Sequence, residues 1–334
     1  MTLCERFPVL DADTIIRNFV VPPRFIDSTF ENYIPNEAEP SQFEAKIRIQ
    51  EFADAIRAVK PKRFWKTPKV AKHIYLDGGF GVGKTHLLTA LAHDFRDDST
   101  YGSFVEYTNL VGALGFEKSV SVLSQYRLIC IDEFELDDPG DTVLISTLLT
   151  RLSALGCLIA TTSNTLPDRL GEGRFAADDF MREIQGLSAS FDVIRIDGPD
   201  YRHRDEVSAG KPMSDEDLIQ VSAAKGLRVD NFEELDRHLL HVHPSSYGAM
   251  VEDTPVVFIS KLHTITNQNN ALRWVALIDR LYDREIPIAY SGVNAEWLFS
   301  DEMRSGGYRK KYLRAISRLG ALTREWWSIQ DSNL

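Results

Sequence analysis

Cysteine is scarce in this chain of 334 residues: Cys4, Cys130 and Cys157 are all it has, an odd and widely spaced set that excludes a disulfide framework. Cys130 and Cys157 lie in apolar strand candidates, so the three read as reduced thiols of a cytosolic protein. Long hydrophobic runs are missing too. No stretch approaches the roughly 18 uninterrupted apolar residues of a membrane-spanning helix. Positive charge is in deficit, 38 Lys and Arg against 49 Asp and Glu for a net charge of −11, which argues against a protein coated in nucleic acid. One basic strip remains near the C-terminus, Arg309, Lys310, Lys311, Arg314 and Arg318, to be read as a solvated helix face or a surface for phosphate. The eight histidines show no metal-ligand spacing, and the group His238, His241 and His243 reads as a helix end. The first residues, MTLCERFPVLDADT, carry acids early and lack both the apolar core of a secretory signal and the acid-poor bias of a transit peptide, so a cytoplasmic location is expected. The sequence contains no internal repeat and no low-complexity tract.

What is present is an ordinary globular composition, 43% hydrophobic and 26% charged, over a length that allows two domains or one large α/β domain with an appendage. The chain is organised around HIYLDGGFGVGKTH, His73 to His86. An apolar run from His73 to Leu76 reads as a buried strand, glycines crowd at Gly78, Gly79, Gly81 and Gly83, and an amphipathic segment follows from Thr85. Strand, glycine loop and helix form the context required of G-x-x-x-x-G-K-[ST], which Gly78 to Thr85 match at every defined position. In that motif glycines let the backbone wrap a polyphosphate while its N–H groups and the helix N-terminus face the negative charge. Gly78, Gly79, Phe80, Gly81, Val82, Gly83, Lys84, Thr85 and His86 are the candidate ATP-binding residues. Lys84 would reach the β and γ phosphates, and Thr85 would offer its hydroxyl to Mg²⁺.

The rest of the chain falls in place around this loop. Val21 to Pro35 reads as extended because prolines exclude a helix, with Phe30 and Tyr33 as spaced aromatics that pack over a base or simply belong to an arm. Ser41 to Lys60 has helical apolar spacing. Ser103 to Tyr107 reads as a second strand, and Tyr126 to Phe134 as an apolar strand ending in adjacent carboxylates, Asp132 and Glu133. Asp138 and Pro139 start a helix with a core-facing stripe at Ile145, Leu148, Leu149 and Leu152. A buried strand from Cys157 ends at Ser163 and Asn164, a helix is expected from Asp179 to Leu187, and Phe191 to Asp197 alternates as a half-exposed strand does. Strands interleaved with helices predict a doubly wound parallel sheet, with ligand at the strands' carboxyl ends. Farther on, the pattern predicts helices at Ser214–Ala224, Asn231–Val242 and Asn270–Asp283, strands at Pro255–Ser260 and Ile286–Ser291, and a basic helix from Tyr308. The expected organisation is an N-terminal arm and helix (1–60), an ATPase core (61–200), a linker (201–215) and a smaller C-terminal α/β or lid-like region (216–334).

Phosphoryl transfer to water needs the γ-phosphate cradled, its charge neutralised and a water aligned. Asp132 at its strand end would hold the Mg²⁺ shell, and Glu133, facing the other way, would activate or orient the water. A second carboxylate beside the first favours a hydrolase over a small-molecule kinase. Asn164 suits hydrogen bonds to the γ-phosphate and the attacking water. Arg174 and Arg182 are the candidates for an arginine supplied at the transition state, from the same or a neighbouring subunit.

Together, GGFGVGKTHLL, LICIDEFELDD, TTSNTLPDRL, DGPDYRHR and ALRWVALIDRLYDREI resemble the ZapE-type ATPases of bacterial cell division, relatives of a mitochondrial AAA+ ATPase. The likeness runs over residues 22–320. DEF after the strand, TSN, DYR and the pattern from Arg273 to Asp283 are more particular than the phosphate loop. The resemblance implies an AAA+-like P-loop fold, ATP held by Gly78 to Thr85, Mg²⁺ near Thr85 and Asp132, hydrolysis by Glu133 and a sensor at Asn164. Where the family has an arginine before Phe-Leu-Pro, this chain has FAADDFMREI, which moves the finger to Arg182 or Arg174; Arg273 and Arg318 are candidates for a second sensor.

The expected function is a Mg²⁺-dependent ATPase that remodels a protein assembly. The resemblance implies FtsZ or another division protein as partner, membrane contact only through partners, and a homo-oligomer when ATP is bound. One alternative is a helicase-loader or initiator-like ATPase acting on single-stranded DNA and a helicase, which shares the TFENY-like lead and GKTHLL. Another is an ATP-gated binding switch with little turnover. Glu133 and Asn164 favour turnover, and the acidic charge favours a protein partner over nucleic acid.

Overall fold

In the computed structural model, residues 2–8, 15, 19, 21–58, 72–79, 81–134, 139–165, 186, 189–199 and 211–331 are described. Phe80, Asp138, Arg174, Arg182, residues 201–210 of the expected linker and most of the expected Asp179–Leu187 helix lie outside them. The chain divides into one unit of Ile15–Glu206 and another of Met1–Thr14 with Val207–Leu334.

Five short strands build the sheet of the first unit, β1 (His73–Gly78), β2 (Ser99–Ser103), β3 (Leu128–Asp132), β4 (Leu158–Ser163) and β5 (Phe191–Ile196). All pair in parallel in the order β2-β3-β4-β1-β5. β1, β3 and β4 are buried at every position, as strands covered on both faces must be. One face carries α1 (Pro40–Ala58) and α2 (Lys84–Phe95), whose Ile49, Phe52, Leu87, Leu88 and Leu91 form a cluster with Ile74, Leu76, Leu128 and Cys130. Ile129 and Ile131, equally buried, point to the other face by strand alternation. Helices α3 (Phe104–Leu114) and α5 (Pro139–Ala154) pack on β2, β3 and β4, with α4 (Phe116–Leu123) between them. Register aligns the carboxyl ends, Asp77 beside Ser163 and Ser103 beside Asp132.

The second strand corrects the sequence reading. It occupies Ser99–Ser103, and Phe104 opens α3 where a strand to Tyr107 is expected. Ser103 Oγ accepts the N–H of Glu106, and the Glu106 carboxylate accepts the N–H of Ser103 at 2.7 Å. This capping box overrides the strand preference of Phe104, Val105 and Tyr107.

The second unit holds a parallel sheet in the order β6-β7-β8, with β6 (Asp230–Asn231), β7 (Val257–Leu262) and β8 (Ile288–Gly292). Its longer helices are α6 (Asp215–Ala224), α7 (Phe232–His241), α8 (Gln268–Asp283) and α9 (Arg309–Asp331), the first three capped by Ser214, Asn231 and Asn267. The N-terminus is tied in here: the N–H groups of Leu3 and Cys4 each donate at 3.0 Å to the buried carboxylate of Asp230. Arg6 Nη1 donates to the carbonyl of Met250 at 2.8 Å. This opening segment thus joins the second unit, apart from α1, with which the sequence reading groups it.

The basic strip is only partly a surface. Arg314 and Arg318 both engage Asp279 of α8, at 2.9 and 2.7 Å, and the Arg318 guanidinium lies over the Tyr282 ring. Arg273 Nη1 donates to the carbonyls of Leu239 and Val242 at 2.7 and 3.1 Å, closing the end of α7.

Candidate functional site

The loop after β1 is shaped by what stands against it. A Cβ at Gly78 would meet the carbonyl oxygen of Ile196 on β5 at 2.2 Å, so no larger residue fits there. Gly83 caps α2 with φ +93°, a left-handed conformation that glycine takes at little cost. A Cβ there would also sit 2.6 Å from the Tyr33 ring. Tyr33 reaches over the loop to donate to the Val82 carbonyl at 3.4 Å and meets the His86 ring edge-on. His86 Nε2 lies 3.0 Å from the Thr29 carbonyl and 2.9 Å from Asn32 Oδ1. Phe30 and Tyr33 are both buried, so the Thr29–Tyr33 lead packs on the loop and the first turn of α2.

Lys84 is the first residue of α2 and is itself buried. Its ammonium donates to the carbonyls of Gly78, at 2.8 Å, and Gly79, and to Asn164 Oδ1 at 3.0 Å. The fold therefore brings the ends of β1 and β4 together at one cation. Just before the loop, the buried carboxylate of Asp77 pairs with Arg195 of β5, which also holds Asp197 at 2.8 Å.

Asp132 ends β3 inside a set of donors. Oδ1 accepts from Thr85 Oγ1 at 3.3 Å, from the Glu133 N–H at 3.1 Å and from Thr162 Oγ1; Oδ2 accepts from the Tyr101 hydroxyl at 2.8 Å. Burial and the neighbouring Glu133 carboxylate push the Asp132 carboxyl above its ordinary range, and the hydroxyl donors pull the other way. A cation beside it would favour the charged form. Thr85 and Asp132 are hard oxygen donors within hydrogen-bond distance of one another, a set that fits Mg²⁺ better than a soft metal.

Glu133 has φ +52°, a costly conformation for a side-chain-bearing residue that persists only where neighbours impose it. They do so here. Its N–H donates to Thr162 Oγ1 at 3.0 Å, and the next N–H, of the fully buried Phe134, donates to the Thr162 carbonyl at 2.7 Å. Thr162 lies in the quoted TTSN segment, so alternation along that strand could have flagged it. Tyr101 lies in STYGS, which carries no motif, and was not legible.

A five-stranded parallel sheet with a phosphate loop after its first strand and paired carboxylates after its third defines an α/β P-loop nucleotide-binding fold. Residues 15–217 and 211–329 match the AFG1-like ATPase family, and the chain belongs to that family. The cell division protein ZapE of Escherichia coli (strain K12) is 24% identical over 313 residues, taking in 79% of this chain and 82% of that protein. The uncharacterized protein C115.02c of Schizosaccharomyces pombe is 28% identical over 153 residues, 40% of this chain and 34% of that one. A solved structure of DnaI covers 54% of this chain and 93% of its own at 19% identity, with a TM-score of 0.42. No helix among the described residues is long and apolar enough to cross a membrane.

Proposed function

We propose that this chain is a Mg²⁺-dependent ATP hydrolase that spends the hydrolysis on remodelling a protein assembly, in cell division. The observation that carries the reading is the convergence of Lys84, Thr85, Asp132 and Asn164 through direct hydrogen bonds at the carboxyl ends of three parallel strands. Gly78 to Thr85 bind the phosphates through backbone N–H groups and the Lys84 ammonium. Thr85 and Asp132 hold Mg²⁺, which supplies charge neutralisation on the phosphates. Glu133 orients and deprotonates the attacking water, and Asn164 holds the water and the γ-phosphate in line.

Two features support turnover rather than an ATP-gated switch. Glu133 is locked in a strained turn beside Asp132, and Asn164 is held at the lysine. Arg174 or Arg182 completes the site, from the same or a neighbouring subunit in an ATP-bound homo-oligomer. The name of the Escherichia coli relative supports a division protein such as FtsZ as the partner. The net charge of −11 and the engagement of Arg314 and Arg318 with Asp279 disfavour single-stranded DNA. The protein acts in the cytoplasm and meets the membrane only through partners.

ATPase rate measured across protein concentration, with FtsZ polymers or single-stranded DNA added, separates the readings. Stimulation by the polymer and a rate per subunit that rises with concentration are expected. Stimulation by DNA alone would favour the helicase-loader reading.

A further inference from the structure

We infer that Tyr101 is a positioning residue for the Asp132 carboxylate, fixing its plane and thereby setting how tightly the site holds a divalent cation. The inference rests on the reading of Asp132 as the Mg²⁺ ligand.

The donors around Asp132 are unevenly shared. Thr85, Thr162 and the Glu133 N–H all address Oδ1, whereas among the described residues Oδ2 is addressed by the Tyr101 hydroxyl. Rotation about the Cβ–Cγ bond moves both oxygens, so the donors on Oδ1 hold the carboxylate at one end. The Tyr101 hydroxyl, delivered from a different strand, adds a second anchor at the other oxygen against the same rotation. Thr85 is itself a candidate cation ligand, so its bond to Oδ1 cannot be counted on once it coordinates. The tyrosine takes no such second part.

The fold explains why a tyrosine is needed. Tyr101 pairs in register with Cys130 on the adjacent strand, two residues short of Asp132. Two strand residues span about 6.6 Å, which a phenol crosses and a serine or threonine does not. The ring is buried in the cluster with Phe95, Leu88 and Leu91, so the hydroxyl is presented from a stiff mount. Partners that hydrogen-bond a ligating carboxylate typically change metal affinity by about 10–100-fold when removed.

The test is Tyr101→Phe, which keeps the ring and removes only the hydroxyl. Mn²⁺ binding to the ADP complex, followed by the loss of the free-ion electron paramagnetic resonance signal, needs no turnover. ADP affinity in EDTA and the melting temperature are measured alongside. Mn²⁺ affinity should fall by about tenfold or more while ADP affinity in EDTA and melting stay near wild type. Unchanged Mn²⁺ affinity in the variant, with a wild type that binds the ion, overturns the positioning role and leaves the Mg²⁺ reading standing. So does a fall in melting temperature and in EDTA affinity with Mn²⁺ binding intact, the signature of a merely structural hydroxyl. A wild-type ADP complex that holds no Mn²⁺ overturns both.

Discussion

Lys84 and Asn164, 80 residues apart in the sequence, meet at 3.0 Å between Nζ and Oδ1. The contact joins the phosphate loop after β1 to the end of β4, and so places an amide where a phosphate-bound lysine must point. Asn164→Ala should leave ATP affinity within about threefold and lower the hydrolysis rate by about 100-fold, the range for loss of one positioned group in the transition state. Equilibrium binding and single-turnover rates check this. A loss of affinity with the rate preserved would make Asn164 a binding residue and not a sensor.

Gly83 is constrained twice, by φ +93° and by the Tyr33 ring where its Cβ would be. Gly83→Ala should cost about 1–2 kcal/mol for the left-handed backbone alone, with a further loss from displacing Tyr33. Measured against Tyr33→Ala alone, which carries its own loss of a buried ring, Gly83→Ala should cost the first part and none of the second. Urea denaturation of both single variants and the double variant measures this. No cost of Gly83→Ala in the Tyr33→Ala background would mean that the backbone conformation carries no strain.

His73 opens β1, where its Nδ1 accepts the Ile159 N–H at 3.3 Å and burial lowers its pKa from 6.5 to about 4. The folded protein thus keeps the ring neutral where the unfolded chain would protonate it. Its contribution is complete above pH 6.5 and is lost as pH falls toward 4, by on the order of 3 kcal/mol over the whole window. Stability measured from pH 7 to pH 4 should decline more steeply in the wild type than in His73→Asn. Parallel curves would remove His73 from the acid response.

The strands nearest the site were legible because each is an apolar run that ends in a residue of distinctive chemistry: Gly78, Asp132, Asn164. β2 was misread. Its five residues, STYGS, are mostly small and polar, and the hydrophobic segment after them belongs to a helix fixed by the Ser103–Glu106 capping box. The same strand hides Tyr101, whose role exists only once β2 and β3 are paired. Arg314 and Arg318 looked like part of a charged face because the sequence cannot say that Asp279, on another helix, draws them inward. The turn at Glu133 was equally out of reach, since it depends on Thr162 from the neighbouring strand.

ATP binding and ATP hydrolysis separate at two residues. Lys84→Ala and Glu133→Gln are compared by ATP affinity and by phosphate release under the same conditions with Mg²⁺. Lys84→Ala should lose affinity by at least about 100-fold, in keeping with removal of a buried charge-assisted contact. Glu133→Gln should bind ATP as the wild type does and release phosphate at least about 100-fold more slowly, because only the water-activating carboxylate is gone. Equal loss of binding in both variants, or undiminished phosphate release by Glu133→Gln, would contradict that separation.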